Sequence, residues 1–139
     1  MAKLIWITPK WPLPADDGAK IANCQLISAV AASGVEITLC AYVTKAEQKL
    51  LEAESAEEIA IKELGIKRAV FIPKSQDGFI LRLVKHPFTA ITLSPYISAN
   101  AARVVKTLCE VNVDSKIVFD GLHSAGWTKI ISKRELSKI

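Results

Sequence analysis

The chain has 139 residues, half of them hydrophobic and 23% charged. This length suits one compact domain, predicted over residues 1–139, and the composition excludes a disordered chain. The net charge of +4 is not gathered into a Lys/Arg stripe with interleaved aromatic residues, so nucleic acid is not predicted as a partner.

The first predicted element is the apolar run KLIWI, residues 3–7, whose branched and aromatic side chains indicate a strand buried on both faces. The run is too short for a signal-peptide core or a membrane span, so we predict a cytoplasmic protein. The loop that follows contains Pro9, Pro12 and Pro14 and then two adjacent aspartates. Because proline fixes φ, this loop is predicted to be stiff as well as acidic.

Helices and strands are then predicted in alternation. Apolar residues at helical spacing predict a first helix that ends at Gly34, and residues 35–43 form the second predicted strand. Strong helix formers over 45–64 predict one helix, ended by Gly65. Residues 68–73 are the third predicted strand.

The last part of the chain continues this alternation. A short helix is predicted within 79–88, and a second helix has Ser94 as N-cap and Pro95 at its first position. Residues 116–120 form the fourth predicted strand, followed by a helix over 124–136. The order predicts a Rossmann-like three-layer α/β domain with a mainly parallel sheet of at least four strands, the first of them central.

The loops at the carboxyl ends of such strands are where ligands bind. Gly18 lies where the first helix begins, and amides of a first helical turn suit a phosphate. The alternative interpretation is that Asp16 or Asp17 only caps this helix and that the prolines stiffen a surface loop. Neither the three-glycine dinucleotide fingerprint nor a P-loop is present.

A second candidate site follows the fourth strand. Asp120 ends this strand and His123 lies in the next turn, where a carboxylate and an imidazole can bind hydroxyls or handle protons. Alternatively, Asp120 caps the following helix and His123 is inert.

The three cysteines, Cys24, Cys40 and Cys109, are odd in number and widely spaced. This spacing fits neither a disulfide framework nor a metal site, and we predict small core residues in a reducing compartment. Neither a metal nor a cofactor is predicted.

Four segments, taken in order, resemble one enzyme family. PLPADDGAK (12–20) is similar to a proline loop that ends in two glycines, and LISAVAASGVEITLC (26–40) is similar to a helix that leads to "L...G.EVTL". PFTAITLSPYISANAARVV and IVFDGLHSAGW resemble the segments "P..PY.V..Y" and "VHFDHLHMA". Together they resemble the N-terminal half of glycosyltransferase family 4, retaining enzymes of the GT-B fold, over nearly the whole chain. Ala19 departs from the pattern, because it replaces the second glycine.

The resemblance implies an N-terminal domain that serves the acceptor, in an enzyme that transfers a sugar from a nucleotide-sugar donor to a sugar or lipid-linked acceptor. A second, C-terminal Rossmann-like domain would supply most donor contacts, so the isolated domain is expected to be inactive. The implied catalytic position is Asp120 or His123. The implied phosphate- and substrate-binding loop comprises Asp17, Gly18, Ala19 and Lys20. The alternative function is a stand-alone α/β module that binds a phosphorylated ligand without catalysis.

The segment FILRLVKHPF, residues 79–88, interleaves apolar residues with basic ones. Such a pattern can form an apolar side with a basic rim that lies on an anionic membrane, here the inner membrane face. In the alternative interpretation the apolar residues cover the sheet and the bases face water. The residues concerned are Phe79, Ile80, Arg82, Leu83, Lys85, His86 and Phe88.

Overall fold

The computed structural model describes residues 1–74, 79–85 and 99–120. The predicted cap residues Ser94 and Pro95 and the predicted helix over 124–136 lie outside this range. The described elements, in chain order, are β1 (Lys3–Thr8), α1 (Gly18–Ala32), β2 (Glu36–Val43), α2 (Lys45–Ala53), α3 (Ala56–Leu64), β3 (Arg68–Pro73), α4 (Phe79–Lys85), α5 (Ala99–Val111) and β4 (Lys116–Phe119).

The four strands form one sheet in the order β3-β2-β1-β4, and each neighbouring pair is parallel. β1 lies inside the sheet, with Trp6 opposite Leu39 of β2 and Val118 of β4. The predicted Rossmann-like parallel sheet, with its first strand central, is therefore confirmed.

Helices cover both faces of the sheet, which explains why β1 and β2 are nearly continuous apolar runs. Ile5 and Ile7 of β1 pack on the face that carries Val105 of α5. Trp6 points to the opposite face, where it joins a cluster that includes Ile27 of α1. Full burial of a side chain such as Ile7 stabilises the fold by about 1.5–3 kcal/mol. Because its side chains alternate between the two faces, β1 contributes to both cores.

All three cysteines are buried, as the sequence predicts. Cys24 belongs to the core under α1, whereas Cys40 and Cys109 belong to the core under α5. Burial raises the pKa of the Cys40 thiol to about 12, so this thiol is unreactive at neutral pH.

The predicted helix ends at Gly34 and Gly65 are confirmed, since both glycines have positive φ, 89° and 72°. The prediction of one helix over 45–64 is wrong. The chain breaks at Ser55, which has a left-handed φ of 53°, and separates α2 from α3. The break lets α3 place the small residues Ala56 and Ala60 against the core.

Within the described residues, no helix is long and apolar enough to cross a membrane.

Candidate functional site at the carboxyl edge of the sheet

The strand order places a switch point between β1 and β4. From β1 the chain runs through α1 to β2 on one side, and from β3 it returns through α4 and α5 to β4 on the other side. In open parallel sheets the crevice at such a point, outside the carboxyl ends of the strands, is where ligands bind. The last residues of β1 and β4 therefore mark the candidate site.

Three polar side chains meet at this point. The Asn23 Nδ2 group of α1 donates a hydrogen bond to Thr8 Oγ1, at 3.1 Å. Thr8 Oγ1 lies 3.2 Å from Asp120 Oδ2 and 3.2 Å from the Lys10 carbonyl oxygen, and its single proton can be donated to either. The backbone N–H of Asp120 donates to the Ile7 carbonyl at 2.8 Å, which fixes Asp120 beside the end of β1. We call Thr8, Asn23 and Asp120 the switch-point cluster.

The switch-point cluster is largely buried, and Asp120 is its most exposed member. Thr8 is 1% exposed and Asn23 is 8% exposed, whereas Asp120 is partly exposed. Among the described residues Asn23 Oδ1 has no hydrogen-bond partner. One N–H of the Asn23 amide is donated to Thr8, and the Thr8 proton is donated either to Asp120 or to the Lys10 carbonyl. Of these groups the partly exposed carboxylate of Asp120 is the one that a ligand can reach, and a carboxylate suits a ligand that donates hydrogen bonds, such as a sugar hydroxyl.

The proline loop leads from β1 to the start of α1. Asp17 is the N-cap of α1, and its Oδ1 accepts a hydrogen bond from the Lys20 backbone N–H at 2.8 Å. Its Oδ2 accepts from Lys10 Nζ at 2.8 Å, and Asp16 Oδ1 accepts from Lys20 Nζ at 2.7 Å. Asp17 therefore caps α1, as one interpretation of the sequence predicted.

These two ion pairs set the electrostatics of the loop. The hydrogen bond from Lys10 lowers the pKa of Asp17, and the hydrogen bond from Lys20 lowers the pKa of Asp16. In turn, Asp16 raises the pKa of Lys20. The four charges cancel, and both the backbone amide and the ammonium of Lys20 are already engaged by aspartates.

Gly18 and Ala19 begin α1, and both are exposed. A Cβ built on Gly18 meets no atom within 4 Å, and the φ of Gly18 lies outside the left-handed region. The fold alone therefore does not require glycine at this position.

The structure brings the two predicted regions, the proline loop and Asp120, to the same end of β1. Thr8 joins the two predicted regions, because it contacts Asp120 on one side and the Lys10 carbonyl of the proline loop on the other. His123 lies outside the described residues. Sequence reasoning missed Thr8 and Asn23. Thr8 directly follows an apolar strand and Asn23 lies between Ala22 and Cys24 in the first helix, which is a signal that could have found them.

No group of three or more His, Cys, Asp or Glu side chains that could hold a metal ion occurs in the described part of the chain.

In the predicted membrane segment, Ile80, Leu81 and Val84 are exposed beside Lys85. The side chains of Phe79, Arg82 and Leu83, together with His86 and Phe88, lie outside the described residues. Membrane contact therefore stays a prediction.

Comparison of the chain with models of protein families, with curated proteins and with solved structures gives no match.

Proposed function

We propose that this chain is the N-terminal, acceptor-side domain of a retaining glycosyltransferase. The observation that carries the proposal is the switch-point cluster, which holds the partly exposed carboxylate of Asp120 at the place where a parallel α/β sheet binds ligands. A glycosyl acceptor reacts through a hydroxyl group, and a hydroxyl group needs an acceptor of this kind for its orientation. The resemblance of the sequence to glycosyltransferase family 4 points to the same activity.

In this proposal Asp120 accepts a hydrogen bond from a hydroxyl of the acceptor. Thr8 and Asn23 position the carboxylate, because they link it to β1 and α1. The amides of Gly18 and Ala19, at the positive end of α1, lie toward the diphosphate of the nucleotide sugar. A second Rossmann-like domain supplies the remaining donor contacts, and a lipid-linked acceptor would bring residues 79–88 to the inner membrane face.

A non-enzymatic module that binds a phosphorylated ligand is the second candidate. Two lysines, Lys10 and Lys20, flank the start of α1, which favours an anion there. Asp16 and Asp17 oppose it, since they neutralise both lysines and one of them occupies the backbone amide of Lys20. The first candidate is therefore better supported by the geometry.

The reading frame beyond the codon for Ile139 separates the two candidates. We expect it to encode a second Rossmann-like region, and we expect the complete product to transfer sugar from a panel of nucleotide sugars with retention of configuration. A frame that stops close to this codon, or a two-domain product without transferase activity across the panel, would contradict the proposal.

The isolated chain offers a second test. Residues 1–139 should show no transfer and should bind nucleotide sugars only weakly in calorimetry, because the domain that supplies most donor contacts is absent. Tight donor binding by this chain alone would instead favour the module.

A further inference from the structure

A cavity of about 180 Å³ lies between the proline loop and the junction of α2 with α3. The loop contributes Trp11 and Leu13 to its lining, and the two helices contribute Leu51 and Ile59. The cavity is smaller than small-molecule pockets, which measure roughly 300–1,000 Å³. Its size therefore suits one side chain of a partner better than a whole small molecule.

The apolar lining has a fixed part and an exposed part. Trp11 is 8% exposed, and its ring lies 5.4 Å from that of Phe71, measured between centroids. Ile59, by contrast, is 43% exposed at the same cavity. Since removal of apolar surface from water is favourable, an apolar stem that enters the cavity would cover Ile59 and contact Trp11.

The charged side chains that line this cavity are both carboxylates, those of Glu54 and Glu63. Within the part of the chain that the structure describes, neither takes part in an ion pair. The lysines of the proline loop do not offset them, because each is already neutralised by an aspartate. The cavity therefore carries the negative charge of both glutamates.

The end of α2 adds to this negative potential. Glu54 is the C-cap of α2, and the last turn of this helix has no basic residue. The C-terminus of a helix carries a partial negative charge, so a carboxylate there is unfavourable and a cation is favourable. A cation bound in the cavity would thus interact favourably with the helix end as well as with both carboxylates.

An apolar stem that ends in a cation matches both parts of this lining. A guanidinium group packs on aromatic rings and pairs with carboxylates, and arginine is enriched among the residues that anchor protein interfaces. We propose that the cavity binds an arginine side chain of a partner protein, with the stem against Trp11 and Ile59 and the guanidinium group at Glu54 and Glu63. The inference holds whether or not the chain is part of a transferase.

The test is an NMR titration of the ¹⁵N-labelled chain with three probes: Nα-acetylarginine amide, Nα-acetylcitrulline amide, which has nearly the same shape but no charge, and phenethylamine. We expect the arginine probe to shift the amides of Leu13 and Glu54 together with the indole N–H of Trp11. The citrulline probe should leave these signals unchanged. Equal shifts from the arginine and citrulline probes would overturn the proposal, and so would tighter binding of phenethylamine, which would indicate a site for a small aromatic amine.

Charge variants test the roles of the two carboxylates. Glu54→Gln and Glu63→Gln should each weaken binding of the arginine probe about twofold to fivefold, and the double variant should weaken it further. Glu58→Gln is the matched control, because Glu58 is an exposed glutamate on the same helix as Glu63 but does not line the cavity. A loss of affinity in Glu58→Gln equal to that in Glu63→Gln, or unchanged affinity in the double variant, would contradict the assignment.

Discussion

Two regions meet at the carboxyl end of β1, and they hold their polar groups in different ways. The switch-point cluster uses hydrogen bonds among buried groups, with Thr8 and Asn23 almost fully enclosed. The proline loop uses ion pairs near the surface, Lys10 with Asp17 and Lys20 with Asp16, and of these four side chains only that of Lys20 is largely covered, at 18% exposed. Buried hydrogen bonds are costly to leave unmade, whereas exposed ion pairs exchange partners readily. The cluster is therefore suited to hold a fixed geometry, and the loop is suited to change partners.

The largest effect is expected in the switch-point cluster. Thr8→Val removes the hydroxyl but keeps the shape, so that Asn23 Nδ2 loses its acceptor in a buried setting. We expect a loss of about 1–3 kcal/mol in the free energy of unfolding, measured with urea. Thr8→Ser keeps the hydroxyl and should recover most of this loss.

The double variant Thr8→Val/Asn23→Leu tests whether the loss comes from the unpaired amide. Because Leu brings no polar group, the double variant should be more stable than Thr8→Val alone. A double variant whose loss equals the sum of the two single losses would show that the two side chains are not coupled.

The next effect is expected at the start of α1. Asp17→Ala removes both the cap on the Lys20 amide and the partner of Lys10, and should lower the urea midpoint. Asp17→Asn keeps a capping side chain and should have a much smaller effect. If both variants lowered the midpoint equally, the ion pair and not the cap would be the main contribution of Asp17.

Low pH should lower the free energy of unfolding through the ion pairs of the proline loop, by less than Asp17→Ala does. The pKa values of Asp16 and Asp17 are lowered from 3.8 by their lysine partners, so their contribution to stability is present above this pH and is lost as the pH falls through the lowered values. Between about pH 6 and about pH 3, the wild type should lose more stability than Asp16→Asn/Asp17→Asn. Glu36, whose pKa is lowered by Lys67, is present in both proteins and cancels in the comparison. If the free energy of unfolding changed with pH in the same way in both proteins, the two ion pairs would contribute nothing to stability.

The smallest effect is expected at Gly18. Since an added Cβ meets no atom within 4 Å, Gly18→Ala should raise the free energy of unfolding by roughly 0.5 kcal/mol. Gly65→Ala is the control, because φ at Gly65 is +72° and alanine there should cost roughly 1 kcal/mol. A clear loss of stability in Gly18→Ala would mean that the end of the loop is strained.

Sequence patterns predicted the sheet better than the site. The runs at 3–7 and 35–43 are mostly apolar because both faces of these strands are covered, and this pattern is local in the sequence. The break at Ser55 could not be predicted, because it depends on how Ala56 and Ala60 approach the core. The link between Thr8 and Asp120 spans 112 residues and exists only because β4 pairs with β1. Asp17 shows the limit of local reasoning, since its capping role was foreseen but its pairing with Lys10 was not.

The most direct test of the proposed transferase function is the effect of Asp120→Asn on acceptor kinetics in the product of the whole reading frame. Because asparagine keeps an acceptor oxygen but loses the charge, we predict that kcat/KM for the acceptor falls at least about tenfold while KM for the nucleotide sugar changes little. Asp114→Asn, at an exposed position just before β4, should match the wild type. Wild-type acceptor kinetics in Asp120→Asn, or an effect limited to the donor, would contradict the assignment of the switch-point cluster to the acceptor.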